Sequence, residues 1–226
     1  MIEIMWCNHS YVVLRLIEKG LTIAIDPHDG LSVGLPTCSL NADLVLITHN
    51  HYDHNAISVA KGPNSIVLES AKGERTFHDV KIVGREFYHD KNRGKLRGLV
   101  AAYCLEIEKI RICHLGDIGH VPQEDQLHEF KEVDLLMLPI GGVYTIDGGE
   151  AWHLVRILEP KMVMPLHYWL PGSMLPLDPL DSFLNIAKAQ RLRMSSNKFE
   201  LPFKEGLEKT ALIIPQPLKR RLDDGN

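Results

Sequence analysis

Four side chains able to bind a metal fall within six positions of the stretch LVLITHNHYDHNAI: His49, His51, Asp53 and His54. Three imidazoles this close are costly in a dry core and have no purpose on a bare loop, so the pattern asks for a cation. His49 and His51 stand two apart, and extended chain points both to one side. Asp53 and His54 are adjacent and diverge unless a turn near Asn55 aims them at a second point. The spacing therefore suits two ions better than one. Asp117, in CHLGDIGH, has two oxygens and could bridge both ions, with Gly116 and Gly119 permitting close approach. His167, at the end of MPLH, could complete the second site. A third imidazole for the first site has three candidates: His89, His114 and His120.

These residues are far apart in the chain, and a sheet rim is what would gather them. Asp26, His49, Asp117, Gly141-Gly142 and His167 each sit where an apolar run ends. Runs rich in β-branched and aromatic residues predict strands at 2–7, 11–18, 21–26, 43–49, 65–69, 79–83, 99–107, 109–115, 134–140 and 161–166. Helical spacing of apolar residues predicts helices at 123–130, 149–158 and 178–190, with a short one at 56–60. Strands with helices inserted between them imply a layered α/β architecture. A faint repeat runs through the chain. Asp26 precedes DLVLI, which begins at Asp43, by 17 residues, and Asp117 precedes DLLML, which begins at Asp134, by the same interval. One domain over 1–226 is expected, built from two related halves at about 1–108 and 109–218. The polar, charged tail 219–226 should fray.

A net charge of -4 argues against a nucleic-acid binder, which would carry a basic face. No run approaches membrane-spanning length, and the N-terminus lacks the basic and apolar regions of an export signal, so a cytoplasmic location is expected. Cys7, Cys38, Cys104 and Cys113 are scattered without a CxxC pair, which reads as buried free thiols.

The order of these residues resembles the metallo-β-lactamase superfamily: Asp26 upstream, HxHxDH from His49 to His54, GDxG at Asp117, and a strand-ending His167. Within it, HLGDIGH, VDLLMLPIGGVYTIDGGEA and PKMVMPLHYW resemble the branch containing L-ascorbate-6-phosphate lactonase and N-acyl phosphatidylethanolamine phospholipase D. The resemblance implies an αββα four-layer sandwich with a dinuclear site along the edge between its sheets. That branch carries the third histidine of the first site some thirty residues before the GDxG aspartate, which His89, 28 before Asp117, fits. His114, three before Asp117 and inside a strand, points by alternation to the other face. Implied, then, are His49, His51 and His89 on one ion, Asp53, His54 and His167 on the other, and Asp117 between them. Asp26 would orient a ligand histidine through its other ring nitrogen, with His114 and His120 as hydrogen-bonded neighbours of the site. Gly141, Gly142 and Thr145 would line the substrate pocket. Asn8-His9-Ser10 departs from the expected Gly-His-Ser, and a small effect is expected.

Two divalent ions, with zinc the first expectation and manganese, iron or nickel as alternatives, would lower the pKa of a bridging water until hydroxide exists at neutral pH. Asp53, with one oxygen free, would be the catalytic proton shuttle. The expected function is hydrolysis of a small ester or lactone, phosphorylated or not. Arg93, Lys95 and Arg97, just after His89, could bind a phosphate at the rim. The expected partner is a small anionic substrate, with no nucleic acid and no membrane; a homo-oligomer stays open. A phosphodiesterase of the same superfamily is the alternative. A diiron redox protein comes third, since that class places a glutamate where this chain has His51.

Overall fold

The computed structural model describes residues 1–203, 207 and 209–219, arranged as two sheets. The expected frayed tail lies, from residue 220 on, outside the described residues. The first sheet holds β1 (Ile2–Trp6), β2 (Val12–Leu16), β3 (Leu21–Ile25), β4 (Ala42–Ile47) and β5 (Lys61–Glu69), with β13 (Lys198–Leu201) on the edge beside β1. The second holds β6 (Gly73–Phe77), β7 (Val80–Tyr88), β8 (Leu99–Ile107), β9 (Ile110–His114), β10 (Leu135–Pro139), β11 (Met162–Leu166), β12 (Gln190–Arg193) and β14 (Ala211–Ile214), in the order β12-β14-β11-β10-β9-β8-β7-β6.

Strict alternation builds the layers. Ile4, Trp6, Leu14, Ile23, Ile25, Leu44 and Leu46 join the main core with residues of the second sheet, such as Leu105 and Met137. Their neighbours Met5, Val13, Ala24, Val45 and Ile47 point the other way, into a smaller cluster covered by Leu40, Ile57 and Val59. β4 is thus apolar on both faces because both faces are buried. Two α-helices are present among the described residues: α1 (Gly148–Leu158), the crossover between parallel β10 and β11, and α2 (Leu180–Ile186), which packs on it. Asp147 caps α1, accepting from the N–H groups of Gly149 and Glu150. The chain is an α/β sandwich of the expected class.

Several elements differ from expectation. The stretch 56–60 makes only a 3-10 turn, Ile57–Val59, and 123–130 makes two, Glu124–Gln126 and His128–Phe130. In the latter the buried residues are Leu127 and Phe130, three apart, which matches a 3-10 period and leaves no longer apolar stripe to hold an α-helix. The helix expected over 178–190 stops at Ile186, and Gln190–Arg193 becomes β12 instead. β6 was not expected at all; its residues are almost wholly exposed, so no alternation marks it.

The cysteines also correct the expectation of free thiols. Cys7 is bonded to Cys38, and Cys104 to Cys113. Cys104 and Cys113 face each other directly in the antiparallel β8–β9 pair, and the loop after β3 returns Cys38 to the end of β1. Strand register makes neighbours that linear spacing hides. Among the described residues no helix is long and apolar enough to cross a membrane.

Candidate metal centre

Parallel strands β3–β4–β5 and β9–β10–β11 send their C-terminal ends to one rim. Asp26 follows β3, Thr48-His49 follows β4, His89 follows β7, Asp117 lies three residues past β9, and His167 follows β11. Three residues at the rim, His9, Asp26 and His167, have positive φ angles of 51°, 52° and 50°. Each such residue costs of order 1–3 kcal/mol, which persists only where the surroundings fix the geometry. For Asp26 the fixing is visible. Its carboxylate accepts from the Thr48 N–H at 2.7 Å and the Thr48 hydroxyl at 2.7 Å, and pairs with His54 Nδ1 at 3.0 Å.

Three groups of donors overlap at the rim: His49, His51 and His89; His9, Asp53, His54 and His167; and Asp26, His49 and His54, each with ligand atoms within 4.8 Å of one another. One atom lies between the first two. Asp117 Oδ2 is 3.0 Å from His167 Nε2, 3.1 Å from His54 Nε2, 3.6 Å from His89 Nε2 and 3.9 Å from His49 Nε2. The Nε2 atoms of His49, His54 and His167, together with Asp117 Oδ1, are buried and lack hydrogen-bond partners. Buried polar atoms are rarely left so. Clustered nitrogen lone pairs around a carboxylate fit divalent cations, and imidazole with carboxylate is a zinc-type donor set.

The surrounding residues differ in what they touch. Asp26 reaches the cluster twice, directly at His54 and through the Thr48 hydroxyl, which lies 2.9 Å from His49 Nδ1. His114 uses both ring nitrogens elsewhere: Nε2 meets the Ser10 carbonyl at 3.0 Å, and Nδ1 accepts from the Gly116 N–H at 3.0 Å. His120 is half-buried on the Tyr88 carbonyl and touches none of the cluster. Gly119 is obligatory for packing, since a Cβ there would stand 2.3 Å from the His89 carbonyl carbon.

His9 plays a larger part than its motif suggested. Its Nε2 lies 3.1 Å from Asp53 Oδ2, and its ring centroid is 4.3 Å from that of His167. The Asn8 departure also has a physical reason. Asn8 has φ 69°, a left-handed conformation that asparagine tolerates next best to glycine, and its amide is fully bonded. Nδ2 donates to the Pro36 and Leu218 carbonyls, and Oδ1 accepts from the Leu218 N–H.

Charges settle around this geometry. Burial would lower the His54 pKa, but Asp117, Asp53 and Asp26 raise it well above the usual value. Burial, then repulsion from His54, lowers His49 to about 2, and burial with repulsion from His167 lowers His9 to about 3. Burial would raise Asp117, but His167 and His54 hold it well below the ordinary carboxylate range. Most imidazoles here are therefore neutral, the state that offers a lone pair.

Above the cluster opens a cleft of about 250 Å³, with Tyr52, Asp53, Arg97, Asp117, Tyr144 and Leu175 among its walls. A larger groove of about 760 Å³, lined by residues such as Leu184, Lys188, Arg191 and Lys209, lies away from all of these donors. Of Gly141, Gly142 and Thr145, none lines the cleft. Gly141 is buried against the His167 carbonyl, and the Thr145 hydroxyl turns back to the Ile146 carbonyl. Their loop reaches the cleft through Tyr144 instead. The loop from Gly141 to Asp147, Tyr144 included, is the one the sequence offers for the pocket, whereas sequence reasoning missed Tyr52 and Leu175, because single residues in irregular loops carry no periodic signal.

A family model described as a beta-lactamase superfamily domain matches residues 3–167, a span that starts before His9 and ends on the last donor. A UPF0173 metal-dependent hydrolase of Natranaerobius thermophilus is 30% identical over 189 residues, covering 74% of this chain and 83% of that protein. Another, from Thermoplasma volcanium, is 27% identical over 227 residues, covering 89% and 98%. A crystal structure from Thermotoga maritima, of a candidate Zn-dependent hydrolase of the metallo-beta-lactamase superfamily, is similar with a TM-score of 0.76 and 32% identity, covering 96% of this chain and 100% of that one. Sequence, topology and a donor-lined rim agree over most of the chain's length, and the protein belongs to the metallo-β-lactamase superfamily, alongside the UPF0173 metal-dependent hydrolases.

Proposed function

We propose that the protein hydrolyses a small anionic ester or lactone with the help of two divalent ions, zinc first among them. The observation that carries this is the pair of donor groups sharing Asp117 Oδ2. His49, His51 and His89 would hold one ion, Asp53, His54 and His167 the other, and Asp117 would span both. Ions so placed would supply an activated water at neutral pH and withdraw charge from a carbonyl or phosphoryl oxygen. The chain's own groups do the rest. Asp53 lines the cleft and carries a proton to the leaving group, while His9 holds its carboxylate in place. Asp26 and Thr48 keep His54 and His49 turned toward the centre. A cleft of about 250 Å³ is below the range usual for drug-sized ligands, which favours a small substrate. Together with the GGVYTID resemblance this supports the lactonase-like branch.

The test is turnover by zinc-loaded protein on phosphosugar lactones, neutral lactones and bis(4-nitrophenyl) phosphate. Lactone opening should dominate, and Asp53→Ala should lower it about 10²- to 10⁴-fold, the usual worth of a positioned proton carrier. Faster diester cleavage, lost in the same variant, would transfer the assignment to a phosphodiesterase.

The ligand set has its own check. His89→Ala should lose an ion by elemental analysis, whereas His114→Ala should keep both, since both nitrogens of His114 are already bonded. The reverse pattern would overturn the assignment of His89.

A further inference from the structure

We propose that Arg97 selects the substrate's anionic group, a carboxylate or phosphate, at the mouth of the cleft; this takes its site from the hydrolase reading above. Arg97 lines the cleft, and its guanidinium carbon stands 4.3 Å from the centre of the Tyr144 ring. That contact engages the cation with the ring, and no hydrogen bond or ion pair among the described residues occupies the guanidinium N–H groups. Among the described residues no carboxylate pairs with it, although the neighbouring Lys91 is paired with Glu150. An arginine facing a cleft without a counter-ion is equipped to bind one from solution.

The loop beneath Arg97 is built to hold it still. Asp90 is buried, and its carboxylate accepts four backbone N–H bonds, from Asn92 at 2.7 Å, Gly94 at 3.0 Å, Leu96 at 2.9 Å and Arg97 at 2.8 Å. The loop is closed again where Gly98 N–H donates to the Gly94 carbonyl at 2.9 Å and His89 N–H to the Gly98 carbonyl at 3.0 Å. One folded loop therefore carries both His89, in the donor cluster, and Arg97, above it. The backbone of Arg97 is therefore held in register with that of His89 by covalent and hydrogen-bonded structure together. Arg93, Lys95 and Arg97 are all exposed, but only Arg97 lines the cleft, so the phosphate role foreseen for all three narrows to one residue.

Calorimetry on zinc-loaded protein tests this with two probes, succinate and methyl phosphate. Arg97→Gln should weaken binding of the preferred probe about ten- to hundredfold, and Arg97→Lys by less, since it keeps charge but loses the planar fork. Arg93→Gln and Lys95→Gln should stay within about twofold of the parent, because a solvated charge at the rim contributes little. The probe with the larger loss identifies the anion. Metal content of each variant, by elemental analysis, separates a lost contact from a collapsed site. A parallel assay compares mono-4-nitrophenyl succinate with 4-nitrophenyl propionate, and Arg97→Gln should lower the anionic-to-neutral ratio of kcat/KM mainly through KM. Equal binding by parent and Arg97→Gln, or equal losses in all three glutamine variants, would overturn the proposal. If neither ester turns over, the ester reading fails while the binding comparison still decides Arg97.

Discussion

Asp117→Asn is expected to reduce bound metal from two ions per chain to fewer than one and to lower turnover by about a thousandfold, the several kcal/mol that metal charge supplies to a transition state. The reason lies in one atom. Asp117 Oδ2 is within 3.0–3.9 Å of the Nε2 atoms of four histidines that belong to two donor groups. Asparagine keeps the shape but removes the charge and one acceptor. Two ions would bring four positive charges into a buried rim whose carboxylates, among the described residues, are Asp26, Asp53 and Asp117, and Asp26 is already taken up by Thr48 and His54. Without Asp117 the ions repel each other across neutral imidazoles. Loss at both sites together distinguishes a shared ligand from an ordinary one, whose removal should empty one site. An Asp117→Asn variant that keeps both ions by elemental analysis would rule out the bridging role.

Removing metal should also destabilise the fold strongly. Free ion at one hundred to one thousand times its Kd contributes about 2.7–4.1 kcal/mol per site. Two sites thus contribute about 5–8 kcal/mol, which for a domain of this size is about 10–30 °C in Tm. Thermal melts of chelated and zinc-loaded protein at pH 7 measure this directly, and a difference under a few degrees would mean that the donors hold no ion tightly. The metal-free protein should then show a further acid sensitivity. Burial, chiefly, lowers His9 to about 3 and His49 to about 2, so on acidification the unfolded chain takes up these protons first. Their stabilising contribution is complete above about pH 6.5 and shrinks as the pH falls toward 3, by about 2 kcal/mol each at pH 5. His54, raised by its carboxylates, behaves oppositely and gives up its contribution only as the pH rises above neutrality. A metal-free Tm that does not fall between pH 7 and pH 5 would contradict this.

Much of the rim was legible in the sequence for a simple reason. Apolar runs end at Asp26, His49, Asp117 and His167, and strand ends on one side of a sheet must meet. HxHxDH is local, so its geometry needs only a turn. Other features depended on contacts that no spacing records. Cys104 and Cys113 pair through register, and Cys7 meets Cys38 only after β2 and β3 have folded back. His9 gained its place beside Asp53 from two successive left-handed residues, Asn8 and His9, that reverse the chain at the end of β1. Arg97 stood among three basic residues that look alike in sequence, and only the Asp90-centred loop decides which one borders the cleft.

The amide of Asn8 grips residue 218 at both its N–H and its carbonyl, and the next residue along is His9, which steadies Asp53. The turn that carries His9 is thereby fastened to chain 210 residues further on. Removing Leu218 would keep every donor and loosen this latch, so a residue far from the rim in sequence helps set how firmly His9 holds Asp53.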